Sequence, residues 1–119
     1  GNKIPFVKED LTMKTAIKIL SDKKLGMLVV KNKSNKTTGI ITDGQIRRFN
    51  QRKIYLPSIK VRDVMTKGPV SIDKDALAAK ALALMNNKKI TSLCVFDKKN
   101  KYKTIGVLHI HNILGSDIS

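Results

Sequence analysis

The sequence has no tryptophan, two tyrosines and three phenylalanines in 119 residues, so any core it builds must be aliphatic. The same scarcity removes the stacking platforms on which single-stranded nucleic acid is usually held. A lone cysteine, Cys94, excludes an internal disulfide, and its place in the apolar run Leu93-Cys94-Val95-Phe96 reads as a small buried core residue. No apolar run is long enough to span a bilayer, and no signal-peptide pattern opens the chain. Acidic residues are also few, nine against 24 lysines and arginines, which leaves a formal charge of +15. Missing too are the constellations of catalysis. No nucleophile is paired with a base, no glycine-rich loop cradles a phosphate, and no carboxylates stand at useful spacing. Enzymatic activity is therefore not expected of this chain.

What is present is 41% apolar residues and enough length for a buried core. A soluble protein of a reducing, cytoplasmic setting is expected, with no membrane partner. The sequence opens at Gly1 without an initiator methionine and enters an apolar segment almost at once. It is expected to be a piece of a longer protein. Its basic excess would draw nucleic acid or small anions. Much of the lysine falls at two expected hairpin tips, 31–36 and 98–103, without interleaved aromatics. A solvated surface is the expected reading there, and nucleic-acid binding the weaker one.

One stretch occurs twice. Gly39-Ile40-Ile41-Thr42-Asp43-Gly44-Gln45-Ile46 is echoed by Gly106-Val107-Leu108-His109-Ile110-His111-Asn112-Ile113. In each copy a glycine opens a short apolar run, a polar residue follows, and an amide stands three positions later. The pattern is that of a buried strand running into a helix. Around it the order of elements repeats. Pro5-Phe6-Val7 is extended, Asp10 or Thr12 caps a helix, and Met13, Ala16, Ile17 and Leu20 mark its buried face. Leu25 to Val30 is a buried strand, Gly39 to Ile41 its hairpin partner, and a helix follows from Thr42 to about Arg52.

After Leu56-Pro57 the programme restarts, giving expected repeats at 1–56 and 57–119. Val70-Ser71-Ile72 is a strand, and Asp73 and Asp75 are expected to charge a helix start. Ala78, Ala81, Leu82 and Met85 mark that helix's buried face. Ile90 to Phe96, a turn over 97–103 and Ile105 to Leu108 form the second hairpin, with a last short helix from Asn112 to Leu114. The halves align with an offset of 65, which becomes 67 after the hairpin turn, so a loop longer by two residues is expected. The fold class is α/β, a β-α-β-β-α unit used twice about a pseudo-twofold axis. Each unit alone buries a low fraction of its surface, so the two are expected to share a core.

Lys60-Val61-Arg62-Asp63-Val64-Met65-Thr66, Pro69-Val70, Lys89-Ile90-Thr91-Ser92-Leu93 and Gly106-Val107-Leu108 resemble a CBS (cystathionine β-synthase) domain, and the tandem resembles a Bateman module. Leu25-Gly26-Met27, the run Gly39 to Arg48, Asp75 to Ala79 and Leu108 to Asn112 are similar to the C-terminal CBS pair of D-arabinose 5-phosphate isomerases, which supply the precursor of the acidic lipopolysaccharide sugar Kdo. The resemblance implies a regulatory region attached to an N-terminal sugar-isomerase domain, and pairing of modules into a homodimer. It also implies that the cleft between repeats holds a small anionic ligand. No cofactor is required; AMP, ATP or the downstream product CMP-Kdo are the ligands it allows.

Carried over, the motif Gly-apolar-x-Thr/Ser-x-x-Asp/Asn assigns Thr42 and Gln45 to one site and His109 and Asn112 to the other. Helix starts suit phosphate groups. Arg48 is the candidate for an anion, and Thr66, Lys67, Thr91, Ser92 and His111 are expected to border the clefts. The family's isomerases usually carry Asp where Gln45 and Asn112 stand. An amide has one acceptor where a carboxylate has two, so ribose recognition is weakened. Thr42-x-x-Gln45 is also a capping box, which needs no ligand. His109 and His111 lack the further ligands of a metal site, and none is expected. A purely structural or oligomerising module is the rival to a ligand sensor.

Overall fold

The computed structural model describes residues 4–23, 26–51 and 59–111. They fall into two compact units, Gly1–Gly68 and Pro69–Ser119. In the first, Thr12 caps the helix α1 (Met13–Lys23) by accepting the Thr15 N–H at 3.4 Å. The i, i+3, i+7 spacing of Met13, Ala16 and Leu20 places all three in the core, where each is nearly inaccessible. The strand β2 (Met27–Lys31) is buried at four consecutive positions, as an apolar run in the middle of a sheet must be. It pairs in parallel with β1 (Phe6–Lys8) and antiparallel with β3 (Thr37–Thr42), which runs directly into α2 (Asp43–Gln51). Arg52 lies outside the described residues.

The next segment departs from the repeat. Residues that open the second repeat in sequence fold onto the first unit as the short helix α3 (Val61–Val64) and strand β4 (Thr66–Lys67). β4 pairs with β3 through Gly39↔Lys67 and Ile40↔Thr66, so the sheet order is β1-β2-β3-β4. Val61 is fully buried among Met13, Leu28 and Ile41, and its N–H donates to the Leu11 carbonyl at 2.8 Å. The compact units therefore part at Gly68–Pro69, while the sequence repeat restarts near 57. Gly39 is required where β4 passes. A Cβ there would stand 2.6 Å from Met65 Sδ and 2.8 Å from the Thr66 carbonyl oxygen.

The second unit holds β5 (Ser71–Asp73), α4 (Ala78–Lys88), β6 (Ser92–Asp97) and β7 (Asn100–His109), with sheet order β5-β6-β7. Its buried cluster is Ile72, Ala81, Met85 and Leu93. Asp73 and Asp75 do not charge the first turn of α4, which begins only at Ala78 after the N-cap Leu77. Asp73 instead ends β5, and its Oδ1 accepts the Asp75 N–H at 2.8 Å, closing a turn ahead of the helix. Local side-chain-to-backbone bonding has won over the dipole. The helix ends at Lys89 in a left-handed conformation (φ 56°).

The two extra residues of the second hairpin do not lengthen its turn. β6 and β7 extend to the pair Asp97↔Asn100, leaving two residues in the turn where the first hairpin has Asn32 to Lys36, and register shifts flank Phe96. Part of the lysine-rich run 98–103 is thus strand rather than loop. Ile110 and His111 start a helical turn, and the expected helix Asn112–Leu114 lies outside the described residues. No helix among the described residues is long and apolar enough to cross a membrane.

Candidate functional site

The strand-to-helix junctions at Thr42 and His109 gather the expected site residues into two sets, one in each unit. At the first, Thr42 ends β3 and Gln45 sits in the opening turn of α2. The Thr42 N–H donates to Gln45 Oε1 at 2.9 Å, and the Gln45 N–H donates to Thr42 Oγ1 at 3.2 Å. That is the reciprocal capping box expected from the sequence. The Gln45 amide nitrogen is also engaged. Nε2 donates to Thr66 Oγ1 at 2.6 Å and to the Val64 carbonyl at 3.3 Å. Every donor and acceptor that a glutamine side chain owns is thus spent inside the protein, counting the 3.3 Å bond from Thr42 Oγ1.

Arg48 lies one turn on, exposed, with its guanidinium folded back over the helix start. Nη1 is 3.4 Å from the point where a Cβ on Gly44 would stand, and Thr42 Oγ1 is 3.8 Å from the same point. Asp43 opens α2 with a carboxylate, which opposes an anion there. Lys67 is exposed on β4, beside Thr66.

At the second junction Ser92 opens β6 directly opposite His109 at the end of β7, and the Ile110 N–H donates to the Thr91 carbonyl at 2.8 Å. Thr91, Ser92, His109 and His111 are therefore neighbours at one edge of the sheet. The His111 N–H donates to His109 Nδ1 at 3.1 Å, so His109 occupies the capping role that Thr42 has in the first unit. The two imidazoles stack at 4.7 Å between centroids, 28° from parallel. Among the described residues no group of three or more His, Cys, Asp or Glu could hold a metal ion.

Burial, and then the neighbouring His111, push the His109 pKa below its ordinary 6.5. The bond accepted by Nδ1 acts in the same direction, since only the neutral ring accepts. The unfolded chain consequently binds the proton more readily, and His109 contributes stability that is full above pH 6.5 and declines as pH falls below it. Urea unfolding compared at about pH 8 and about pH 5 should show a smaller loss in His109→Gln than in the unsubstituted chain. Identical losses would exclude this titration.

The sequence signature of the CBS domain matches residues 2–52 and 61–118. The chain is a pair of CBS domains. Along 99% of its length this CBS pair is similar to the arabinose 5-phosphate isomerase KdsD of Yersinia pestis, 36% identical over 118 residues. It covers 35% of that relative, and so spans about a third of the length of the curated relatives it matches. The CBS domain protein PAE2072 from Pyrobaculum aerophilum, complexed with AMP, shares the fold with a TM-score of 0.88 at 15% identity, over 98% of this chain and 88% of that one. The CBS pair of protein MJ0100, in complex with 5′-methylthioadenosine and S-adenosyl-L-methionine, shares it with a TM-score of 0.84 at 17% identity, over 97% and 88%. Likeness at such identities is likeness of fold.

Within the CBS pair, Thr42, Gln45 and Thr66 are joined by hydrogen bonds, with Arg48 at their margin and Lys67 the next residue along β4. Ser92, His109 and His111 form the second group with Thr91. Asn112 lies outside the described residues. What sequence reasoning missed is the bond from Gln45 to Thr66. The available sign was that a capping box uses only the glutamine oxygen, which leaves two N–H groups in need of acceptors.

Proposed function

We propose that this CBS pair is the regulatory region of an arabinose 5-phosphate isomerase of the Kdo and lipopolysaccharide precursor pathway, acting in the cytoplasm. In this reading it senses an anionic nucleotide or sugar nucleotide and leaves the chemistry to a separate N-terminal isomerase domain. The similarity to KdsD along nearly the whole chain carries the reading. The AMP and S-adenosylmethionine complexes of proteins with this fold support an adenosine-type or related anionic ligand. The ligand is taken at the second junction, by Thr91, Ser92, His109, His111 and Asn112, because Gln45 is consumed at the first. CMP-Kdo, with a carboxylate and a phosphate, is a chemically sensible feedback signal. Regulation then requires only that the ligand bind two arrangements of the homodimeric protein with different affinity.

A thermal-shift panel of AMP, ATP, S-adenosylmethionine, CMP and CMP-Kdo tests this. A true ligand raises Tm progressively with its concentration, because it binds the folded state alone. Silence across the panel would favour the second reading, a structural module that assists oligomerisation, to which the closed bonding of Gln45 already lends weight. Nucleic acid binding, the third reading, requires an affinity that collapses with salt.

A further inference from the structure

At the hairpin end of the first unit, remote from Thr42, the strand ends enclose an open depression of about 450 Å³. Lys8 and Lys31 stand side by side there on β1 and β2, Lys33 lies in the turn, and Arg62 comes from α3. Like charges abreast on neighbouring strands cost stability. The ammonium of Lys31 sits over the Phe6 ring, 3.6 Å from its centroid. None of the four cations is in an ion pair among the described residues, although Glu9 and Asp10 line the same depression. Glu9 instead accepts the Thr38 hydroxyl on Oε2 at 2.8 Å.

The stems that carry these cations are fixed. Asn32 Oδ1 accepts the N–H groups of Ser34 and Lys36 at 2.9 and 3.0 Å, which holds the turn. The Arg62 N–H donates to the Glu9 carbonyl at 3.0 Å, which holds α3 against the end of β1.

The duplication supplies a comparison within one chain. Asp73 pairs with Phe96 as Lys8 pairs with Lys31, and the Lys74 N–H meets the Phe96 carbonyl as the Glu9 N–H meets that of Lys31. The same end of the second unit thus carries Asp73 for Lys8, Phe96 for Lys31 and Asp97 for Asn32. Its turn keeps a lysine, Lys98, where the first has Lys33, and its Lys74 is ion-paired to Asp97 at 3.3 Å. The fold does not require cations on these paired strands, where the second unit has Asp73 and Phe96, so Lys8 and Lys31 abreast, with Lys33 and Arg62 beside them, call for a partner. A volume of about 450 Å³ suits a small molecule and not a polymer.

We propose that Lys8, Lys31, Lys33 and Arg62 form a second anion site, separate from the strand-to-helix junctions, for a compact solute bearing two or more negative charges. Diphosphate, free or as the tail of a nucleotide, has the required chemistry. Amide chemical shifts of the chain titrated with inorganic pyrophosphate at about 0.15 M salt test it. The expected result is a saturable change centred on Lys8, Asn32, Lys33 and Arg62, with affinity weakened about tenfold in Lys33→Ala/Arg62→Ala. The control Lys101→Ala/Lys103→Ala removes equal charge from the exposed part of β7 and should bind as the unsubstituted chain does. An equal loss in the control, changes confined to the residues around Thr42 or His109, or no saturable change would each overturn the proposal. ADP perturbing the same amides with no greater affinity would show that the diphosphate alone is read; tighter binding at the same amides would show that the nucleoside adds contacts at that site.

Discussion

Alanine at Gly39 is expected to destabilise the first unit by about 2–3 kcal/mol, toward the upper end of what overpacking costs. The added methyl would stand 2.6 Å from Met65 Sδ and 2.8 Å from the Thr66 carbonyl oxygen. A methionine tip can swing aside, but a backbone carbonyl in a paired strand cannot do so without giving up β4. Losing β4 would also break the bond between Gln45 and Thr66. Gly106 is the built-in control, because it holds the same place in the duplicated motif. A Cβ there meets Val95 at an ordinary 3.7 Å, the nearest contact among the described residues, and its φ is not positive. Gly106→Ala should therefore be neutral, or stabilising by about 0.4–1 kcal/mol through the unfolded chain. Urea denaturation of both variants measures the contrast. Equal losses would mean that β4 does not constrain β3.

Gln45→Ala is expected to cost about 2–3 kcal/mol, since it strips partners from the Thr42 N–H, the Val64 carbonyl and the Thr66 hydroxyl together. Gln45→Glu separates the two duties of this side chain. A carboxylate still accepts the Thr42 N–H and favours the helix start, but it donates nothing to Val64. Stability should fall in the order glutamine, glutamate, alanine, and amide exchange at Thr66 should quicken in both variants. If ligand is sensed at the second junction, the thermal response to a nucleotide survives Gln45→Ala. Its disappearance in a variant that still folds would place the ligand at Gln45 instead.

These two residues also show how far a sequence can be read. The capping box at Thr42 and Gln45 was legible because it is local: both partners lie within one helical turn, and their spacing alone brings them together. The buried faces of α1 and α4 were legible for the same reason, through the periodicity of Met13, Ala16 and Leu20 and of Ala81 and Met85. The charge at Asp73 and Asp75 was misread because two local outcomes competed, and a turn closed by Asp73 Oδ1 won over an earlier helix start. The extra hairpin residues were misplaced because strand extension and loop extension have the same length in sequence.

By itself the sequence determined the duplication, the order of strands and helices within each copy, and the CBS family. The first two follow from short-range periodicity and from one stretch resembling another, and the family from the resemblance of motifs such as Lys60 to Thr66 and Lys89 to Leu93 to those of CBS domains. Tertiary structure alone decided that residues 59–67 belong to the first unit, where Val61 finds a core and β4 finds an edge of β3. The physical reason is that a free strand edge and a gap in an apolar core are satisfied by whatever segment can reach them, whichever repeat it was copied from. The same choice put Thr66 within hydrogen-bonding reach of Gln45.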